Sequence, residues 1–462
     1  MTDSSFERQT LSNPCEVAPA RDGTRTADAE GTLSATVEQP EAAKPPFSEK
    51  SALPADLQPL GLFSRTGFLL TSMVAGLSSV CIKQLLLPLQ IATLDPQTTN
   101  TSFALVSAIG AVAGLLAAPL TGALADRTTS RWGRRRPWLV AGIVVGVLGL
   151  LTMAAATTIP VLVLGEILEQ LGVDAVLANV TALIPELIPE RQRASTSALN
   201  GMAPIVGGVL GLVIVTFLTN PRVVLQGYLV LAVLSLGFVV FFVLVLHERP
   251  LRQEDIAPFR VRAFLVSFLR PLTARDFVLT LLSRLLVFVT FTLLGSYLFF
   301  YLRKELHLSV EEAARGVTSF QVLSASVLLI TALLTGHLSR VLGRVKPFAV
   351  MGAVLMALAL FILVFNQTQG ILLPVAALFG CGWGSYLGVD TQLAVRVLPR
   401  ETERGKDLGI LYTAIFLPLI VTPLLGATIL NHAAHGFALL FTVAAVASLL
   451  AALFIVPIRS VT

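Results

Sequence analysis

Residues 122–138 read GALADRTTSRWGRRRPW. An apolar run enters an acid and five arginines, then a proline, then a second apolar run. Such a charged connector stands out in a chain that is 55% hydrophobic and 13% charged. Soluble domains carry about 25% charged residues, and the mean hydropathy here is +0.80, which argues against a soluble fold. Apolar runs of 20 or more residues recur, each long enough to cross a hydrocarbon core about 30 Å thick. In lipid the backbone must satisfy itself, which leaves helices or closed barrels. The runs are continuous rather than alternating, so the expectation is an all-α polytopic membrane protein.

After Leu60 the apolar runs fall at 67–94, 100–125, 137–157, 160–187, 195–219, 223–246, 277–302, 314–339, 347–366, 370–398, 408–430 and 436–457. That predicts twelve transmembrane helices in two six-helix bundles, 61–247 and 277–462. Between them lies a basic linker, 248–276, whose stretch FRVRAFLVSFLR has the look of an amphipathic interfacial helix. Residues 1–60 hold ten acids and five bases and no apolar core, so they read as a disordered acidic tail without a signal-peptide apolar region.

Arginines and lysines set the orientation. With the N-terminus inside, the cytoplasmic connectors and helix ends hold 20 of them, against Arg222, Arg303, Lys304 and Arg315 outside. Basic residues favour the cytoplasmic side, so both termini are placed there, in an inner or plasma membrane. The same excess reports topology rather than nucleic-acid binding. Three scattered cysteines imply neither a disulfide framework nor a metal site, and no cofactor is expected.

The halves echo each other. GALADRTTSRWGRRRPW follows the second helix and GHLSRVLGRVKPF (336–348) follows the eighth; LIPERQR closes the fourth and VLPRETER the tenth. Gly122, Leu124, Asp126, Arg127, Gly133, Arg134 and Arg135 resemble the cytoplasmic loop signature of the major facilitator superfamily. The longer spacing in ADRTTSRWGRRRPW is closer to the glycoside–pentoside–hexuronide cation symporters and the sucrose–proton symporters. SRLLVFVTF in the seventh helix and GCGWGSYLGVDTQLAVRVLP in the tenth are similar to bacterial relatives of the sucrose carriers. The resemblance covers about residues 62–457. It implies two pseudo-symmetric six-helix bundles working by alternating access. It also implies a monomeric carrier that takes protons and a sucrose- or maltose-like di- or oligosaccharide as symport partners.

In such a family the signature acid, here Asp126, bridges the two halves near the start of the eleventh helix, where free N–H groups carry partial positive charge. Arg134, Arg135 and Arg136 would add ion pairs to Glu186, Glu190 or Asp407, closing a latch made in one state and broken in the other. The plainer alternative is that the arginines only fix topology. In the second copy Arg340 takes the acid's place, which argues against a matching latch there.

An ionisable side chain at membrane depth needs a partner or a purpose. The first helix has Lys83, the fourth Glu166, Glu169 and Asp174, the seventh Arg284 and the tenth Asp390. At ~1.5 Å per residue Lys83 lies at a depth like that of the fourth-helix acids, and Arg284 at one like that of Asp390. Static structural salt bridges are the alternative, chiefly for Arg284–Asp390. Three acids against one lysine leave carboxylate without a full partner, which can pick up a proton. Asp174 and Glu169, with Glu166 beside them, are the proton-site candidates. Trp383, Tyr386 and Asp390 share one helix face by spacing, and an aromatic surface beside a polar group suits a sugar. Gln392, Gln170 and Asn179 could add hydrogen bonds; plain packing is the alternative for the aromatic stripe.

Two further readings compete. APIVGG (203–208) approaches the glycine–proline signature of drug–proton antiporters, which would make the chain a proton-coupled drug or metabolite exporter. Yet Ala203 replaces the usual glycine, and the fourth helix lacks the arginine of those antiporters. A membrane enzyme or a non-transporting sensor is the more remote reading. No phosphate-cradling glycine loop and no histidine cluster supports it.

Overall fold

The computed structural model describes residues 61–218, 224–246, 274–397 and 404–458, the side chains at 62, 191, 194, 395 and 404–413 excepted. The expected tail at 1–60, the linker from 247 to 273 with its FRVRAFLVSFLR segment, and the Asp407 side chain lie outside the described residues.

Twelve long helices and no strand are found among the described residues. Helix α1 starts as Leu62–Cys81, passes through a wide turn at Ile82–Leu86 and continues as Leu87–Leu94. Then come α2 (Thr99–Ala125), α3 (Arg136–Ala154), α4 (Ile159–Leu187), α5 (Glu190–Leu218) and α6 (Val224–Val245). The second set is α7 (Arg275–Lys304), α8 (Val310–Leu342), α9 (Lys346–Phe365), α10 (Leu372–Arg396), α11 (Arg404–His432) and α12 (Gly436–Ile455). Eleven of them are long and apolar enough to cross a membrane by length and composition. The twelfth, α4, carries the acid cluster.

Local chemistry sets the boundaries. Pro137, Pro160 and Pro347 sit in the first turns of α3, α4 and α9, where a missing N–H costs nothing. Ser309 and Glu312 form a reciprocal capping box at the start of α8, and Gly343 ends that helix at φ 67°. The residue before Pro189 is extended, φ −101° and ψ 125°, as proline requires of its predecessor. The helix then resumes at once. Thus α5 begins at Glu190, five residues before the expected start, with an acid suited to the positive end of the helix. In α1, Pro88 has no N–H and its ring crowds the carbonyl four residues back. The wide turn accommodates it: the Leu87 N–H reaches Ile82 O, five residues back.

The two sets of six pack alike. In the first, α1 meets α5 and α6, α2 meets α4, and α3 meets α4 and α6. In the second, α7 meets α11 and α12, α8 meets α10, and α9 meets α10 and α12. Small residues let these helices approach closely. A Cβ on Gly207 or Gly211 of α5 would fall 2.1 Å from Met73 O or 2.4 Å from Leu77 O of α1. Close packing of α5 on α1 therefore accounts for the APIVGG stretch. Outward faces carry exposed apolar side chains such as Phe217, Val233, Leu244, Leu334 and Leu453, as a lipid-facing surface needs.

The halves meet through α2–α11, α5–α8 and the wide turn of α1 against α7. Among the described residues, the hydrogen bonds and ring contacts joining them lie at the end of the bundle opposite the 126–135 connector. Asn100 donates to Asn431 at 2.9 Å, Asn431 donates to Thr101 at 2.9 Å, and Lys304 reaches Asn100 at 3.3 Å. Thr216 meets Thr318 at 2.7 Å, and Phe103 lies edge-on to Tyr297 and Phe300. The structure is closed at that end.

Candidate substrate and coupling site

Four helices bring the membrane-depth charges into two clusters. In the first half, Lys83 lies 3.8 Å from Glu166 and donates to Gln170 at 3.0 Å. Gln170 in turn donates to Asp174 at 2.7 Å. Glu166, Gln170 and Asp174 recur every four residues on α4, which puts them on one face. Glu166 and Glu169 are fully buried; the Glu166 carboxylate has no hydrogen-bond partner among the described residues, and the Ser78 hydroxyl lies beside Glu169. Glu169 feels the charges of Glu166, Lys83 and Asp174. Beside them, buried Tyr228 of α6 donates to Gln90 at 2.9 Å, and Gln90 donates to Met153 O at 2.7 Å. The pattern is one base, 17% exposed, with three buried acids and a polar chain.

In the second half Arg284 lies 3.2 Å from Asp390, both nearly buried. The Tyr386 phenol lies beside Ser283 and Asp390. Trp383 does not present an open face in this conformation. It stacks on Phe291 at 4.9 Å with planes 10° apart, meets Phe288 edge-on at 5.1 Å, and runs parallel to Tyr386 at 6.3 Å. Phe288 and Phe291 carried no signal in the sequence, because aromatic residues on an apolar helix are commonplace there.

Two expected hydrogen-bonding residues sit apart from these clusters. Asn179 is buried, donates to Ala175 O, and accepts from Arg135 at 3.5 Å. Gln392 exchanges hydrogen bonds with Ser339 and lies at the connector end of α10. Gln170 is the amide that joins the charges.

The connector forms its own network. Arg135, 4% exposed, donates to Glu186 at 2.6 Å and to Asp126 at 3.1 Å. Arg134 pairs with Glu186 and lies 3.8 Å from Asp126. Arg127 and Arg136 flank the cluster, each with a contact of its own. Gly133 adopts φ 105°, a conformation only glycine holds without strain, and so turns the chain into Arg134 and Arg135. Trp138 donates to Thr128 at 2.8 Å across the loop. Gly122 has open space where a Cβ would stand. The described partners of Asp126 belong to its own half, and Asp126 is 56% exposed. The α11 side chains expected to face it lie outside the described residues, and Glu190 is exposed.

Twelve helices in two like-packed sets of six, with buried charges on α1, α4, α7 and α10, define a multi-pass membrane carrier of small molecules. The model of the Major Facilitator Superfamily matches residues 68–402 and 327–461. The chain belongs to that family, whose members are transporters. Over 62 residues it is 44% identical to a sucrose transport protein of Oryza sativa subsp. japonica, 12% of either chain. Over 198 residues it is 27% identical to a general alpha-glucoside permease of Schizosaccharomyces pombe, 37% of this chain and 35% of that one. Both matches thus span well under half of either relative's length. The fold resembles the crystal structure of a D-xylose-proton symporter with a TM-score of 0.67 and 19% identity, over 86% of this chain and 96% of that one.

Proposed function

We propose that the protein is a proton-coupled symporter of a sucrose- or maltose-like sugar, held in an inner or plasma membrane with both termini cytoplasmic. The observation that carries this reading is the charge imbalance on α4, where three buried acids face the single Lys83. A charge at membrane depth demands neutralisation. Lys83 supplies one positive charge, and protons can supply the rest. Glu169 and Asp174 are the proton carriers, and Glu166 holds Lys83. The Lys83–Gln170–Asp174 chain gives proton occupancy a route to move Lys83 and Gln170. Similarity to the sucrose and alpha-glucoside carriers supports a sugar. Trp383 and Tyr386 supply its stacking surface, which requires Phe291 to withdraw from Trp383 in the loaded state.

The connector supplies the gate at the cytoplasmic end. Glu186 holds Arg134 and Arg135 ready, and Asp126 swings to the start of α11 when that end shuts. Each half then moves as a body, and a ligand shifts the balance only by binding one arrangement better than the other.

The deciding experiment is uptake of labelled sucrose and maltose into proteoliposomes under an imposed pH gradient. The gradient should drive accumulation in the unmodified protein and fail to do so in Asp174→Asn or Glu169→Gln. Retention of gradient-driven accumulation by both variants would overturn the proton assignment.

A further inference from the structure

We propose that Gly110 and Gly114 of α2 are positioning residues for the acid cluster: they cut a notch in which the Glu166 and Asp174 side chains seat, and the notch sets how those acids face Lys83. This deepens the coupling reading above and rests on it.

A Cβ on Gly110 would fall 2.4 Å from Glu166 Cγ and 2.8 Å from its Oε1. A Cβ on Gly114 would fall 2.3 Å from Asp174 Oδ2 and 2.8 Å from Gln170 Cγ. These distances are below any tolerated contact, so even a methyl group forces the Glu166, Gln170 or Asp174 side chain to shift. At the close-packed α1–α5 pair the atoms met are backbone: Pro204 O from Gly76, Met73 O from Gly207 and Leu77 O from Gly211. Those glycines let two helices approach. Gly110 and Gly114 make room for ionisable side chains instead, at the same four-residue step as Glu166, Gln170 and Asp174.

The α4 backbone cannot simply draw back. On the far side of α4, a Cβ on Gly149 of α3 would lie 2.3 Å from Glu169 N and 2.7 Å from Gly165 O, so α3 presses on the α4 backbone there. Ser107, one turn before Gly110 on the same face of α2, buries a hydroxyl without a hydrogen-bond partner among the described residues. It is a polar group left where the acids sit. The titratable groups facing Glu166 and Asp174 are Lys83 from α1, Glu169 from α4 itself, and Tyr228 from α6, with Cys81 close to Tyr228. At this depth α2, α3 and α5 offer no charged side chain among the described residues. α2 therefore contributes its shape and the Ser107 hydroxyl, and no charge.

The test is the pH titration of the buried carboxyl band by infrared spectroscopy, on full-length protein reconstituted in lipid. Gly110→Ala and Gly114→Ala should each move the midpoint by about one pH unit or more, a tenfold change in proton concentration. Gly146→Ala on α3, whose Cβ would make only ordinary contacts with α4 at 3.6 Å or more, should leave it in place. Should Gly110→Ala not be recovered folded, Glu166→Ala added to it should restore the folded yield, because it vacates the contested space. Folded variants titrating at the unmodified midpoint, or a double variant no better recovered than the single, would overturn the notch. An unmodified protein with no titrating buried carboxyl would overturn the coupling reading, and the notch with it.

Discussion

The two halves of the molecule share five helix pairings but distribute their buried charge differently. In the first half one lysine faces three acids, and both Glu166 carboxylate oxygens lack hydrogen bonds among the described residues. In the second half Arg284 pairs with Asp390, one base to one acid, with the Tyr386 phenol beside them. The connectors repeat the contrast. Between α2 and α3, Asp126, Arg134, Arg135 and Glu186 lock together. Between α8 and α9, Arg340 donates to Gly336 O, and Arg396 of α10 reaches Gly343 O, both backbone acceptors. Repeated packing does not repeat the electrostatics. A balanced pair behaves as a structural unit, whereas an unbalanced cluster has capacity left for a proton.

Four measurements test that contrast. The largest effect belongs to the balanced pair. Arg284→Ala or Asp390→Ala strands a buried charge and should cost about 3–5 kcal/mol in thermal unfolding of the detergent-solubilised protein. Arg284→Met combined with Asp390→Leu should recover most of it, and a double variant as unstable as either single would show that the pair is not self-contained. Next come the connectors. Glu186→Ala should cost about 1.5–3 kcal/mol, because it removes charged hydrogen bonds from nearly buried Arg135. Arg340→Ala should stay within about 0.5 kcal/mol, and equal losses would erase the difference between the two loops.

A smaller effect is expected at the seam where the halves join. Asn431→Ala removes its bonds to Asn100 and Thr101 and should shift the closed population by about 1 kcal/mol, roughly fivefold. Distances between spin labels across that end would report it. The smallest change in stability belongs to the crowded cluster. Glu169→Gln relieves like-charge repulsion and should leave the unfolding temperature equal or higher, even as pH-driven accumulation disappears. A loss matching that of Asp390→Ala would mean that the two clusters are energetically alike.

Much of this was legible in the sequence. Hydropathy and length gave twelve helices, and counting residues along them matched Lys83 to the α4 acids and Arg284 to Asp390 in depth. The pairing of the arginines with Glu186 was likewise within reach of charge and position. Other features were not, for physical reasons. The Asn100–Asn431 bond joins residues 331 positions apart, and nothing local marks either asparagine. The contact of Asn179 with Arg135 depends on how α3 and α4 cross, which spacing along one helix does not encode. Trp383 and Tyr386 do share a face, but only the packing of α7 reveals that Phe291 covers the indole. Gly110 and Gly114 read as ordinary small membrane residues until their neighbours are placed.

The wide turn at Ile82–Leu86 has a consequence for the ancestry and engineering of α1. It stores one residue more than a regular helix would use, so the segments before and after it keep independent phases. Deleting a single residue there would let the turn tighten to regular pitch while Gln90 still pointed at Tyr228. The side chains inside the turn, Lys83 among them, would be re-aimed by about 100°. A one-codon change could thus move the only cation of the first-half cluster without disturbing the helix beyond it.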